Sequence, residues 1–524
     1  MNQRNASAEL DASTDIATNF TPNKLRSLVG DYWAKPSTLV DAIVDQNCTA
    51  APKKSIRTIA VFFHALRMGG GDRITRDLAI MWEEIGYRVI VITNTEPSEE
   101  DYPLPKTITR VSIPTFLGIT KDTYAERGRA LERVLIDYDV DVLVFAHWFS
   151  DVLAFDMLTA KSLGIPFFLF IQTSFTQFFL DSDMPSNYID IPLQYKLADG
   201  IICLSEMDRL FWSKFNSNVR CTYNPITQTS PHQPSAPLAG HNIIWPARVH
   251  VDKYPLRVVP IMDALLKKVP DAKIWMVGPE DPNLKQQIIE AAEARGEAVA
   301  SSIVFCGPQT EDQMPDWYRK ADAFLLTSKR EGWSLALAEA LATGLPCVMY
   351  DLPYLTLVKG NDAIIRIPQG DGEAAADALA SVLTDKDRAH EMGRAGHSYM
   401  TEIARYDHKR FWRECFASPF DRQRANASID NNVSPLEKLM WRELLDAYRS
   451  HIESFEEERT HLVEQINENN QVMRRQSAQI TGLEDYVDHI LHSKSYRIGI
   501  TITALPRALK RFFGKPSTPS ESDR

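Results

Sequence analysis

The strongest constraint on the fold is a pattern that occurs twice: short, almost wholly apolar segments alternate with segments of helix length. Continuous apolar strands between helices indicate a parallel sheet with helices on both faces, because both faces of each strand are then buried. The two series are separated by a Pro-, Ser- and Gln-rich stretch that is typical of a linker. The predicted strands cover residues 59–63, 88–93, 140–146, 166–171 and 200–204 in the first series, and 242–246, 272–277, 303–306, 323–326 and 347–351 in the second.

This pattern predicts an α/β protein with two Rossmann-like domains. The first domain is expected at residues 56–226, the linker at 227–241 and the second domain at 242–420. Open parallel sheets bind ligands at the carboxyl ends of their strands. We therefore expect the two sheets to face a ligand-binding cleft.

Both ends of the chain differ from these domains. Residues 1–55 have little periodicity, and we expect an N-terminal arm there. Residues 434–492 repeat apolar side chains at alternating steps of four and three, which predicts a coiled coil and a homodimer; the alternative is a long helix lying along its own domain. Residues 493–524 form a basic amphipathic tail that suits an anionic membrane surface, although a frayed basic terminus would also fit.

Charge and cysteine usage narrow the class of protein. The 524 residues carry a net charge of −11, which argues against nucleic acid as the main partner. The six cysteines lie far apart, as expected of buried thiols in a reducing compartment. The first twenty residues lack the apolar region of a signal peptide, and no apolar run approaches the ~20 residues that span a bilayer. We therefore expect a cytoplasmic protein.

The segment most informative about function is residues 331–346, EGWSLALAEALATGLP, which lies between two predicted strands. Ser334 is a suitable N-cap for a helix that is apolar except for Glu339. A lone carboxylate on a buried helix needs hydrogen-bond donors, which sugar hydroxyls can supply. The N-terminus of the same helix offers N–H groups to a phosphate. The alternative is that Glu339 pairs with an internal Arg or with backbone.

This segment resembles the E-x7-E signature of retaining glycosyltransferases of family 4, which have the GT-B fold. The resemblance implies that Glu331 contacts the hydroxyls of the donor sugar and that Glu339 binds the nucleotide ribose. It also implies that the backbone N–H groups of Ser334 and Leu335 face the donor phosphates. The resemblance covers roughly residues 56–416 and leaves out both ends of the chain.

Two cations follow the first strand of the second series. Arg248 and Lys253 are similar to an Arg and a Lys of the family that reach the donor diphosphate. Positive groups fixed there stabilise the charge that the leaving nucleoside diphosphate gains. Tyr254-Pro255 stands where the family commonly has Gly, so the loop departs from the family pattern. The alternative is that both cations are solvated surface charges.

Two features of the first series also fit a ligand cleft. Gly69, Gly70 and Gly71 join the first strand to its helix, where glycines let the backbone approach a ligand closely. Such a turn alone is more often only a turn, but in the family a similar loop faces the donor phosphates. His147 directly follows a strand; a lone His is usually structural, yet the family has a His near the reacting sugar at this position.

The sequence does not favour a metal site. Asp139 and Asp141 form a D-x-D pattern at the start of a strand, away from the expected cleft. Asp181 and Asp183 form another pattern that lacks supporting ligands. We expect no metal ion and no cofactor.

Together with these residues, the resemblance implies a retaining, metal-independent glycosyltransferase whose catalytic residues are His147, Arg248, Lys253 and Glu331. It would move a hexose-type sugar from a nucleotide diphosphate sugar to a hydroxyl of a glycan or lipid-linked acceptor. Biosynthesis of cell-surface polysaccharide or lipopolysaccharide is the expected context. The alternatives are a sugar-nucleotide epimerase of the same fold and a coiled-coil scaffold with an inactive transferase domain.

Overall fold

A computed structural model describes residues 56–67, 69–115, 121–147, 152–175, 191–226, 240–417, 462, 465–466 and 469–498. Both predicted sheets lie in one compact unit, and a second unit begins at Tyr448. The N-terminal arm and most of the predicted linker fall outside the described residues.

The first domain is a seven-stranded parallel sheet in the order β3-β2-β1-β4-β5-β6-β7. Its central strands are buried on both faces, which explains why they appear in the sequence as continuous apolar runs. The strands are β1 (Thr58–Phe62), β2 (Arg88–Thr93), β3 (Thr109–Ser112), β4 (Val142–Phe145), β5 (Phe167–Phe170), β6 (Gly200–Cys203) and β7 (Val219–Cys221). The helices are α1 (Gly70–Glu84), α2 (Lys121–Asp137), α3 (Leu153–Ser162), α4 (Ile191–Leu197) and α5 (Glu206–Trp212).

The second domain is a six-stranded parallel sheet in the order β10-β9-β8-β11-β12-β13. The strands are β8 (Asn242–Pro246), β9 (Lys273–Val277), β10 (Ile303–Gly307), β11 (Ala323–Leu326), β12 (Cys347–Tyr350) and β13 (Ile364–Ile367). The α-helices of this part of the chain are α6 (Val258–Leu266), α7 (Pro282–Glu293), α8 (Glu297–Ser302), α9 (Met314–Lys320), α10 (Leu335–Ala342), α11 (Gly372–Thr384), α12 (Lys386–Ala404) and α13 (His408–Ala417). Three short 3₁₀ turns cover Val251–Lys253, Pro255–Arg257 and Thr356–Val358.

The last helix, α13, packs against the first domain although its sequence falls in the range predicted for the second. The indole of Trp412 contacts that of Trp82 on α1, with ring centroids 4.9 Å apart. Phe416 packs edge-on against Phe168 of β5 and against Tyr87. The chain therefore passes from the first domain to the second and then returns.

Beyond the second domain, residues 469–492 form one continuous helix. Its apolar side chains Met473, Ile480, Leu483 and Val487 are between 52 and 63% exposed in the single chain. Helix formation is thus confirmed over this part of the predicted coil, whereas pairing of helices stays a prediction. Residues 434–461 and the tail after residue 498 lie outside the described residues. Within the described part of the chain, no helix has the length and apolar character needed to cross a membrane.

Candidate active site

The strand order places the candidate site at the centre of both sheets. In the first sheet the order reverses between β1 and β4, and in the second between β8 and β11. Neighbouring loops leave such a point in opposite directions and open a crevice at the carboxyl ends of the strands. The glycine run follows β1, His147 follows β4, Arg248 follows β8 and Glu331 follows β11. Each predicted group thus lies where this topology forms a ligand site.

A cavity of about 830 Å³ lies between the two domains, within the size range of small-molecule sites. All ten residues that the sequence predicts for the site line this cavity. The predicted site residues in the lining are Gly69, Gly70, Gly71, His147, Arg248, Lys253, Glu331, Ser334, Leu335 and Glu339.

Lys253 and Glu331 form an ion pair inside this cavity. The Lys253 ammonium lies 2.6 Å from Oε1 of Glu331, whose side chain is 9% exposed. The hydroxyl of Thr327 donates to the Lys253 carbonyl at 2.7 Å and accepts from the indole N–H of Trp245 at 2.8 Å. Strand β8 and the end of β11 therefore fix the backbone that carries the ammonium group. The pair keeps a carboxylate and a cation close together in the lining of the cavity.

The loop that carries Lys253 has the backbone shape expected of a glycine. Tyr254 adopts the left-handed conformation, with φ 49° and ψ 48°. This conformation is unfavourable for a bulky residue and easy for glycine. The sequence therefore departs from the expected glycine at a loop whose backbone glycine could adopt easily. Pro255 then begins the 3₁₀ turn that leads to α6.

Helix α10 begins where the sequence predicts. The Ser334 hydroxyl accepts a hydrogen bond from the Leu337 N–H, so Ser334 is the N-cap. The glycine run lies against this helix start: a Cβ built on Gly70 would be 3.4 Å from Cδ1 of Leu335. A Cβ on Gly71 would be 2.7 Å from the ring of Phe63, so a side chain there requires the ring to move. Packing within the first domain thus disfavours a side chain at Gly71, whereas Gly70 is in contact with the start of α10 in the second domain.

Glu339 has two donors that reach it from different parts of the unit. Nη1 of Arg73 on α1 lies 2.5 Å from Oε1, and the Tyr318 hydroxyl on α9 donates to Oε2 at 2.8 Å. The alternative that Glu339 pairs with an Arg is therefore correct for this structure, and that Arg comes from the opposite domain. Burial, together with the Glu339 carboxylate, raises the pKa of Tyr318 well above its ordinary value, so the hydroxyl remains a donor.

His64 and Asp72 are among the titratable groups of the cavity that were not predicted. His64 follows β1 as His147 follows β4, and their rings lie 5.2 Å apart. Burial, and then the charge of Arg248, lower the pKa of His64, which keeps its imidazole neutral near pH 7. Burial raises the pKa of Asp72, in the first turn of α1, to about 6. The equivalent positions of the two His residues after neighbouring strands are the signal that could have found His64.

The D-x-D pattern at the start of β4 is structural. Oδ2 of Asp141 accepts hydrogen bonds from the N–H groups of Arg57 and Thr58, at the opposite end of the sheet from the cavity. Across the described ranges there is no group of three or more His, Cys, Asp or Glu side chains suited to a metal ion. Asp181 and Asp183 lie outside those ranges. The absence of a metal requirement stays a prediction, as does the absence of nucleic acid among the partners.

The cavity lies between two Rossmann-like domains and is lined by carboxylates and cations at the carboxyl ends of both sheets. Comparison with known proteins gives the class. Residues 68–228 match the family described as Glycosyltransferase Family 4, and residues 240–385 match Glycosyl transferases group 1. Each half of the main unit therefore matches a glycosyltransferase family model.

Curated relatives match shorter stretches. The chain is 33% identical over 111 residues to the lipopolysaccharide core biosynthesis mannosyltransferase LpsB of Rhizobium meliloti, covering 21% of this chain and 29% of that protein. It is 27% identical over 241 residues to an exopolysaccharide phosphotransferase of Streptomyces coelicolor, covering 44% of this chain and 24% of that protein. The chain spans between a quarter and a half of the length of these first relatives.

Solved structures establish the overall fold. A sucrose-phosphate synthase from Thermosynechococcus elongatus superposes with a TM-score of 0.59 at 15% identity, covering 69% of this chain and all of that one. Anabaena Alr3699/HepE, solved in complex with UDP and glucose, gives a TM-score of 0.54 at 13% identity, covering 71% of this chain and 99% of that one. The predicted fold class, two Rossmann-like domains in the GT-B arrangement, is confirmed.

Proposed function

We propose that this protein is a retaining glycosyltransferase that moves a hexose-type sugar from a nucleotide diphosphate donor to an acceptor hydroxyl. The observation that carries the proposal is the convergence of all ten predicted residues on one cavity between the two sheets. A structural neighbour solved with UDP and glucose supports a nucleotide sugar as donor. A lipopolysaccharide mannosyltransferase among the relatives supports a role in cell-surface polysaccharide or lipopolysaccharide synthesis.

The proposed reaction needs no protein nucleophile. The bond between the anomeric carbon and the donor phosphate oxygen breaks, and the acceptor oxygen bonds to that carbon on the same face. The acceptor proton passes to the departing phosphate oxygen. In this scheme Arg248 stabilises the diphosphate, the ion-paired Glu331 and Lys253 hold the sugar and phosphate, and His147 lies beside the reacting sugar. Positioning and electrostatic stabilisation then supply most of the rate enhancement.

Transfer assays with a panel of labelled nucleotide sugars test this proposal. We expect label to move only when a glycan or lipid-linked acceptor is present, and the product to keep the anomeric configuration of the donor. Conversion of the donor without acceptor would support the epimerase instead. Binding of no nucleotide sugar would support the scaffold, and an inverted anomer in the product would overturn the retaining mechanism.

The proposal includes a homodimer held by the coiled coil. The described part of this segment is helical, and its apolar seam is exposed in the single chain. An exposed seam of this length is unfavourable in water, and pairing with a second copy would bury it.

Light scattering at micromolar concentration is expected to give twice the mass of one chain. Deleting residues 441–490 should reduce the mass to that of a monomer. A monomeric mass for the full protein, unchanged by the deletion, would contradict the proposed dimer.

We also assign the basic tail to the cytoplasmic face of a membrane. Its cations, Lys494 and Arg497 among them, alternate with apolar residues, and each contributes roughly 1 kcal/mol near an anionic surface. Two tails on one dimer would bind more tightly than either alone.

We expect the full protein to float with liposomes that contain anionic lipid. A chain that ends at His492 should stay in solution, and neutral liposomes provide the matched control. Equal flotation of both chains would contradict the assignment.

A further inference from the structure

A cluster of charged side chains joins the two domains beside the cavity, whose lining includes Arg73 and Glu339. Helix α1 of the first domain contributes Arg73 and Arg76, and the second domain contributes Glu311 and Glu339. The Arg76 guanidinium makes two hydrogen bonds to Glu311, at 3.0 and 3.2 Å. Nε of Arg73 lies 3.2 Å from Glu311, and its Nη1 lies 2.5 Å from Glu339. Arg73 is thus in contact with both acids of the opposite domain.

The cluster is largely removed from solvent. The side chains of Arg73 and Glu339 are each 11% exposed. Burial by itself would lower the pKa of Arg73, but the carboxylates of Glu339 and Glu311 outweigh it, and the pKa is raised. Charge-assisted hydrogen bonds at such sites are short and directional. The geometry therefore fixes the Glu339 carboxylate more firmly than a solvated surface pair would.

The two donors leave part of the Glu339 carboxylate available. An ionised carboxylate has about four lone-pair sites, two on each oxygen. Arg73 binds Oε1 and Tyr318 binds Oε2, so each oxygen keeps one further acceptor position. Glu339 also lines the cavity. Two acceptor positions on one rigid carboxylate match the two neighbouring hydroxyls of a ribose.

We propose that Arg73 is a positioning residue for the ribose of the nucleotide: it reaches across the cleft and orients Glu339 to accept both ribose hydroxyls. This inference rests on the proposed function. It also implies that ribose recognition depends on closed domains, because the orienting group and the recognising group belong to different domains.

Calorimetric titration with UDP, GDP and their 2′-deoxy forms tests the role of Arg73. We expect wild type to bind one of the two ribonucleotides at least about tenfold more tightly than its deoxy form, as a hydrogen bond to a charged group predicts. Arg73→Gln should reduce this ratio to below about threefold, and Arg73→Lys should restore part of it. The same loss should appear mainly in the donor KM of the transfer reaction.

Arg76→Gln is the matched control, because Arg76 belongs to the same cluster but contacts Glu311 and not Glu339. If the cluster had only a structural role, each variant would bind the ribonucleotide and its deoxy form more weakly by the same factor. The preference for the ribonucleotide would then be unchanged. If the Arg73→Gln variant keeps the wild-type preference for the ribonucleotide over its deoxy form, this inference fails while the proposed function still stands. Tighter UDP or GDP binding by Arg73→Gln would also overturn it, since Arg73 would then compete with the ribose. If wild type binds no nucleoside diphosphate, the proposed function fails as well.

Discussion

We expect Glu331→Ala and Arg248→Ala each to lower turnover by at least ~10²-fold, because loss of one preorganised charge-stabilising group typically has an effect of that size. Glu331 is held by Lys253 at 2.6 Å, and Arg248 lines the cavity from an exposed position at the end of β8. Neither side chain is part of a hydrophobic core. We therefore expect both substitutions to lower turnover without lowering the thermal stability of the protein.

Steady-state kinetics with thermal unfolding of each variant checks this prediction. Glu293→Ala and Arg388→Ala are matched controls, since both side chains are exposed on helices of the second domain and neither lines the cavity. Both controls should keep normal turnover. A near-normal rate in either site variant would show that the catalytic assignment is wrong.

Gly332→Ala is expected to reduce kcat/KM by ~10²-fold. The reason is that it displaces the two domains relative to each other, and not that it removes a reacting group. A Cβ built on Gly332 would lie 2.0 Å from the carbonyl oxygen of Gln172 and 2.9 Å from Cα of Thr173. Both atoms are backbone of the opposite domain, so no side-chain rotation can relieve the overlap. The domains must move apart, and a shift of about 1 Å at a reacting centre can reduce rates by this factor.

Gly482→Ala is the control for this substitution, because a Cβ at that helical position meets nothing within 4 Å. Small-angle scattering of the Gly332 variant with nucleotide should give a larger radius than wild type. Normal kinetics and an unchanged radius would mean that the domains need not approach as closely as they do here.

Most of the sheet architecture was predictable, because strands buried on both faces leave continuous apolar runs in the sequence. The three strands that were missed, β3, β7 and β13, all lie at sheet edges. The residues of β3 and β7 are only partly buried, and their segments TRVS and VRC contain no apolar run. An edge strand has one neighbour and less apolar cover, so its periodicity is weak.

The sequence could likewise locate only part of the candidate site. Residues of the E-x7-E segment, the two cations and the glycine run follow predicted strands, so sequence spacing could locate them. The pairing of Arg73 with Glu339 joins positions 266 residues apart and depends on how the two domains meet. No local pattern contains that information. The same applies to Tyr318, whose hydroxyl reaches Glu339 on α10 from the neighbouring helix α9.

The return of α13 to the first domain has a practical consequence for expressing the two domains separately. Expressed as residues 56–226 alone, the first domain would leave Trp82 and Phe168 without the aromatic partners that Trp412 and Phe416 provide. A soluble first half should therefore need the α13 peptide supplied separately or fused to it. The chain also crosses between the two domains twice, once before the second domain and once on returning through α13. Two crossings favour rotation of the domains about the line that joins them over free separation of the domains.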